Sequence, residues 1–219
     1  MKILGLADIH GAFAKAEAII KKESADLVVI GGDLTTVGSV KEAERAIRQI
    51  QTVAARLLCV AGNMDLPQDD ELFATLGVSI NGRGVEIGET GFFGVSASPF
   101  TPLHTPYEIP EEEIGKRIQA GFEQIRHCVV KVFVPHAPPY GSRLDIIHAG
   151  FHVGSTAVRE FIENEEPDVV ICGHIHEARG QDMIGKSRIV NCGTAAHGYY
   201  AIVDIGKAIK ISNLHFAER

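Results

Sequence analysis

Three short runs rich in Ile, Leu and Val, at residues 2–7, 26–31 and 57–61, constrain this chain more than any other feature. They are apolar almost throughout rather than at alternate positions, which is how a strand reads when both its faces are covered, as in a parallel sheet. Parallel strands need crossovers, and the stretches between these runs have helical spacing. Phe13, Ala16 and Ile20 share one face of 11–22, and Val40, Ala43, Ile47, Ile50 and Ala54 recur at intervals of three and four. Ser39 followed by Glu42 is a capping-box start for the second of these helices. A β-α-β-α-β order predicts an α/β fold with its site at the carboxyl ends of the strands.

The middle of the chain reads differently. Residues 78–97 hold short runs broken by Asn81-Gly82, Gly84, Gly88 and Gly91, a strand-and-turn pattern. Residues 98–110 contain Pro99, Pro102, Pro106 and Pro110 and predict the longest loop, a lid or a rigid connection. A helix follows Pro110, led by three glutamates and striped by Ile114, Ile118 and Ile125. Strand 129–134, loop 135–152, helix 155–165 and strand 168–172 restore the α/β pattern, and the tail from 180 predicts three or four antiparallel strands. No repeat, low-complexity stretch or linker interrupts 1–219, so one domain is expected.

Composition narrows the function. With 219 residues, 45% hydrophobic and 22% charged, the chain can bury about 70–75% of its unfolded surface without disulfide or metal staples. Lys plus Arg is 21 against 28 Asp plus Glu, a net charge of −7, which disfavours nucleic acid as the partner. No apolar run approaches the roughly 18 residues of a membrane span. The first residues reach a charge, at Asp8, too soon for a signal-peptide core. Cys59, Cys128, Cys172 and Cys192 stand singly, mostly inside apolar runs, as expected of buried thiols in a cytoplasmic protein.

The chemistry lies at the strand ends. Run 2–7 ends in Asp8-Ile9-His10, run 26–30 in Gly31-Gly32-Asp33, and run 57–61 in Gly62-Asn63-Met64-Asp65. Strand 129–134 ends in Pro135-His136 and strand 168–172 in Gly173-His174-Ile175-His176. Five predicted strands thus each deliver a metal-competent side chain where open α/β sheets keep their sites. Nitrogen and oxygen donors without thiolate suit Mn, Fe, Zn, Ni or Co. A covalent nucleophile is not expected: Gly94-Val95-Ser96-Ala97-Ser98 lacks the last glycine of a nucleophile elbow, and no Gly-rich phosphate loop ends in Lys-Ser/Thr.

In that order, Asp8-x-His10, Gly32-Asp33, Gly62-Asn63-x-Asp65, His136 and Gly173-His174-x-His176 resemble the motifs of the calcineurin-like metallophosphoesterases. The resemblance spans residues 8–176 and implies a four-layer α-β-β-α sandwich, two mostly mixed sheets flanked by helices. It also implies two divalent transition ions, manganese first among the metals above. One would be held by Asp8, His10, Asp33 and His176, the other by Asp33, Asn63, His136 and His174. The implied reaction is hydrolysis of a phosphate ester, expected to be a diester, by a hydroxide bridging the metals. Asp33, Asn63, Asp65 and His174 are the implied catalytic residues, Asp65 by orienting a ligand or water. The partner expected is a small phosphate ester, and a homodimer is allowed.

One position departs from the commonest family pattern, Gly-Asn-His-Asp. Its His, taken to protonate the leaving group, is Met64 here. A thioether donates no proton, and a positioned acid is worth about 10²–10⁴-fold. His104, His148, His152 and His197 are candidate replacements, and Arg143 is a candidate phosphate ligand. The alternative reading is a non-catalytic interaction scaffold on the same fold, as in the retromer small subunit. A repair nuclease and a phosphoprotein phosphatase fit less well: the first carries the missing His on a larger chain, and the second has Gly-Asn-His-Glu.

Overall fold

A computed structural model describes residues 1–217. Two mixed sheets lie face to face. The first contains β1 (Lys2–Leu6), β2 (Leu27–Gly31), β3 (Leu57–Val60), β10 (Tyr199–Ile205) and β11 (Ile209–His215), in the order β11-β10-β1-β2-β3. The second orders β4 (Gly84–Ile87), β5 (Thr90–Val95), β6 (Val130–Pro135), β7 (Val169–Cys172), β8 (Gly180–Ile184) and β9 (Ser187–Asn191) as β4-β5-β6-β7-β9-β8. Helices α1 (Phe13–Glu23), α2 (Val40–Gln51) and α3 (Pro67–Thr75) cover the first sheet, while α4 (Glu111–Ile125) and α5 (Thr156–Glu165) cover the second.

The apolar runs explain the layering. In β1, β2 and β3, Ile3, Leu27, Val29, Leu58 and Val60 face inward and meet Val132, Val134, Val169 and Ile171 of the second sheet. Their neighbours Leu4, Leu6, Val28, Ile30 and Cys59 face outward, onto α1 and α2. Beyond the second sheet, Phe93 and Phe133 stack with ring centroids 4.7 Å apart, and Phe122 and Phe161 of the covering helices close edge-on around them. Both faces of the central strands are therefore buried, and the four-layer α-β-β-α sandwich is what the chain adopts.

Capping follows the local chemistry. Ser39 accepts the Glu42 N–H at 3.2 Å to start α2. Glu111, in the first turn of α4, reaches the start of α5 and accepts from the Ser155 hydroxyl and the N–H groups of Thr156 and Ala157. Two features differ from the sequence expectation. Helix α3 had no apolar stripe to announce it; Pro67 and the Asp69 carboxylate on the Leu66 N–H (2.9 Å) start it instead. The tail is four strands but not uniformly antiparallel: β8 and β9 form a hairpin, β9 runs parallel to β7, and the chain then crosses to the other sheet for β10 and β11.

Candidate metal centre

Five strand ends meet at one rim of the sandwich. The turns after β1, β2 and β3 bring Asp8 with His10, Asp33, and Asn63, while β6 and β7 bring His136, His174 and His176 from the second sheet. His10 Nε2 lies 3.3 Å from His176 Nε2 and 3.7 Å from Asp33 Oδ2. Asp33 Oδ2 is 3.6 Å from His136 Nε2, and Asp8 Oδ1 is 3.5 Å from His176 Nε2. Donor atoms of Asp8, His10 and His176 form one cluster within 4.8 Å, and those of Asp8, Asp33 and His136 a second. His174 stands beside this second group, its ring centroid 4.9 Å from that of His136.

These separations suit a cation. Ligand atoms about 2.0–2.2 Å from a shared divalent ion stand roughly 2.8–3.6 Å from one another at tetrahedral to right angles. The outward nitrogen of His136 fixes its tautomer. His136 Nδ1 lies 2.8 Å from the Gly31 carbonyl oxygen, which can only accept, so Nδ1 donates and the neutral ring presents its Nε2 lone pair inward. That lone pair faces the Asn63 side-chain amide at 2.9 Å. His10 Nδ1 pairs with the Thr36 hydroxyl at 2.8 Å, leaving its Nε2 to point at His176 and Asp33.

The electrostatics agree. Burial, with the Asp8 charge beside it, pushes the Asp33 carboxyl well above the ordinary range. Burial alone would raise Asp8 too, but His176, His136 and His174 hold it below that range. Burial depresses His10 and His136, and His174 is driven to about 3 by desolvation and the neighbouring His136. His176 runs the other way, raised by its bond to Asp8, so His10, His136 and His174 are the neutral rings gathered around the buried Asp8 and Asp33 carboxyls.

The backbone is strained to assemble it. Asp8 (φ 54°), His10 (47°), Asp33 (51°) and His174 (69°) all adopt the left-handed conformation, at a cost of order 1–3 kcal/mol each. Hydrogen bonds between the two turns hold them there: Asp8 N–H to Gly32 O and His10 N–H to Asp33 O, both 3.0 Å. Glycine is required where these turns touch. A Cβ on Gly32 (φ 98°) would strike the His136 ring, and one on Gly62 would overlap the Asp33 carboxylate.

Asp65 acts on the backbone of two ligand-bearing turns. Fully buried, its carboxylate accepts from the N–H groups of Gly62 (2.8 Å), Leu34 (3.1 Å) and Thr35 (2.8 Å) and from the Thr35 hydroxyl (3.0 Å). It ties the Asp33 turn to the Asn63 turn and is a positioning residue. Burial and the nearby Asp33 raise it to about 7 against the pull of those donors.

Beside the cluster opens a cleft of about 650 Å³, with His10, Asp33, Asn63, Met64, His174 and His176 at its foot. Segment 98–110 supplies one wall and 147–153 the other. Among the described residues, His104, His148, His152, His197 and Arg143 do not line it. His152 instead pairs with buried Asp145 at 2.7 Å, and Arg143 is exposed, its backbone N–H bound by Asp182. The sequence did not point to Asp145, which accepts the N–H groups of Gly141 and Gly154, both at 3.0 Å, and so closes the second wall on itself.

Known proteins fit this picture. The family model for calcineurin-like phosphoesterases matches residues 1–178, a span that ends just beyond His176. An uncharacterized protein of Methanocaldococcus jannaschii is 34% identical over 195 residues, covering 87% of each chain. A Thermus thermophilus protein superposes with a TM-score of 0.75 at 19% identity, over 98% of both chains. A dimetal phosphatase from Danio rerio reaches 0.64 at 9% identity, over 97% of this chain and 95% of that one. An archaeal phosphodiesterase reaches 0.58 at 18% identity, over 99% and 100%. At such identities these structures speak for the fold; the family match speaks for descent. The protein is a member of the calcineurin-like phosphoesterase family.

Proposed function

We propose that the protein is a metal-dependent phosphodiesterase using two divalent transition ions. The observation that carries this is the donor-rich cluster itself, where buried Asp8 and Asp33 and inward-facing imidazole nitrogens stand at separations that cations satisfy. Asp8, His10, Asp33 and His176 would hold one ion and Asp33, Asn63, His136 and His174 the other; manganese leads, and Fe, Zn, Ni or Co fit the same donors. Such ions, when bound, neutralise phosphoryl oxygens and lower the pKa of water to near neutrality.

The chain's own groups prepare that site. The Met64 N–H holds Asp33 Oδ1 at 2.7 Å, which leaves Oδ2 facing His10 and His136. The His174 N–H steadies Asp8 at 3.1 Å from both carboxylate oxygens. Among the described residues, no lysine or arginine lines the cleft, which favours the single charge of a diester over a monoester dianion. Besides the proposed ligands His10, His174 and His176, no imidazole reaches it either, so the leaving group departs without a dedicated acid.

Hydrolysis of bis(4-nitrophenyl) phosphate tests the reading. Turnover is expected with added Mn²⁺, abolished by a chelator and restored by metal. No turnover with Mn, Ni, Co, Fe or Zn from neutral to alkaline pH would replace the enzyme with the interaction-scaffold reading.

A further inference from the structure

The cleft wall carries information that the metal cluster does not. Pro102 and Leu103 of one segment and Ile147, Phe151 and Val153 of the other line it, together with Ile175 between the two histidines of the cluster. Leu103 is 81% exposed and Phe151 68% exposed, so large apolar surface is left in water beside a polar site. Hydroxyls are present, but they are engaged. Thr101 Oγ1 and Thr105 Oγ1 both donate to Glu108 Oε1 at 2.7 Å, and the N–H groups of the same two threonines donate to that carboxylate as well. With no lysine or arginine among the described lining residues and both threonine protons committed to Glu108, the walls offer no free side-chain donor to a second phosphate or to the acceptor edge of a nucleobase.

We propose that this cleft receives a hydrocarbon ester arm, so that the substrate is a phosphodiester with one alkyl arm rather than a nucleotide. The inference rests on the phosphodiesterase reading for the placement of the phosphate at the foot of the cleft. Its own support is that one cleft is lined both by His10, Asp33 and Asn63 and by Leu103, Ile147 and Phe151, so a phosphate held at the first group has apolar side chains in the same cleft for its ester substituent. Segment 147–153 is fixed to serve as a wall. Ile146 bridges to His152, and Asp145 binds the Val153 side of the turn through the His152 ring and the Gly154 N–H.

Calorimetric binding of the diester monoanions dimethyl, butyl methyl and octyl methyl phosphate and of the methyl ester of thymidine 5′-phosphate, in the presence of Mn²⁺, tests this. Each fully buried methylene contributes up to about fourfold in affinity, so butyl methyl phosphate is expected to bind about tenfold or more tighter than dimethyl phosphate. The octyl diester should bind more tightly still, and the thymidine diester more weakly than the butyl one. In the Leu103→Ser/Phe151→Ser double variant, two exposed loop positions, the methyl-to-butyl gradient should fall to about threefold or less. A flat series in the wild type, a gradient unchanged in the variant, or tighter binding of the nucleotide would overturn the proposal. A chain-length gradient without turnover of any diester would support the slot and reject the phosphodiesterase reading; diester turnover with a flat series would reject the slot alone.

Discussion

Met64 stands in the cleft with its backbone N–H committed to Asp33 and only a thioether to offer a departing oxygen. Esters of acidic phenols need little protonation, whereas alkoxides leave poorly without it. Met64→His should therefore raise kcat/KM for a dialkyl diester by about 10², the low end of what a positioned acid supplies, and change that for an aryl diester little. The low end is expected because the Asp65 carboxylate, occupied by backbone donors, cannot orient the new imidazole. An equal gain on both substrates, at matched metal occupancy, would show that the His does not act on the leaving group. At this scale the seven residues that gather at the rim were legible, since their types stand at the ends of apolar runs and glycines mark most of their turns. Asp65 was named too, but not what it holds: its partners Leu34 and Thr35 are 31 and 30 residues away and use backbone groups that every residue has. Nor could spacing exclude His148 or His152, whose directions depend on a loop that Asp145 shapes.

Segment 98–110 read as either a lid or a rigid connection, and its hydrogen bonds show how it is held. Glu108 gathers the N–H and hydroxyl groups of Thr101 and Thr105, and buried Tyr107 bonds to Asp70 and Arg117. Burial would raise the Glu108 carboxyl, but those donors outweigh it and hold it at about 2, below its usual 4.5. Because the folded value lies below the unfolded one, Glu108 stabilises the fold fully above about pH 4.5 and progressively less as the pH falls toward 2. Metal-free Glu108→Gln should melt below wild type at pH 7, with the gap narrowing by pH 3. A gap independent of pH would mean that the carboxylate's charge does not hold the loop. Elements built on apolar periodicity, such as α2 with its Ser39 cap, were readable. Helix α3 was not, because Pro67, Asp69 and one buried Phe73 define it rather than a stripe. The parallel pairing of β9 with β7 depends on neighbours distant in sequence, which a run of strand-like residues does not name.

Across the whole molecule, the site joins the two sheets. Asp8, His10, Asp33 and Asn63 come from turns of the first sheet, and His136, His174 and His176 from the ends of β6 and β7 in the second. The four-layer sandwich thus does more than bury Ile3 against Ile171: it sets two half-sites edge to edge, with Asp33 Oδ2 between His10 and His136. That position is the basis for assigning Asp33 to both ions. Elemental analysis of the protein after saturation with Mn²⁺ and removal of free metal, beside Asp33→Asn treated identically, tests it most directly. Two ions per chain are expected in the wild type and fewer than one in the variant, with the variant's circular dichroism unchanged. One ion or none in the wild type, or two retained by Asp33→Asn, would contradict a centre bridged by Asp33.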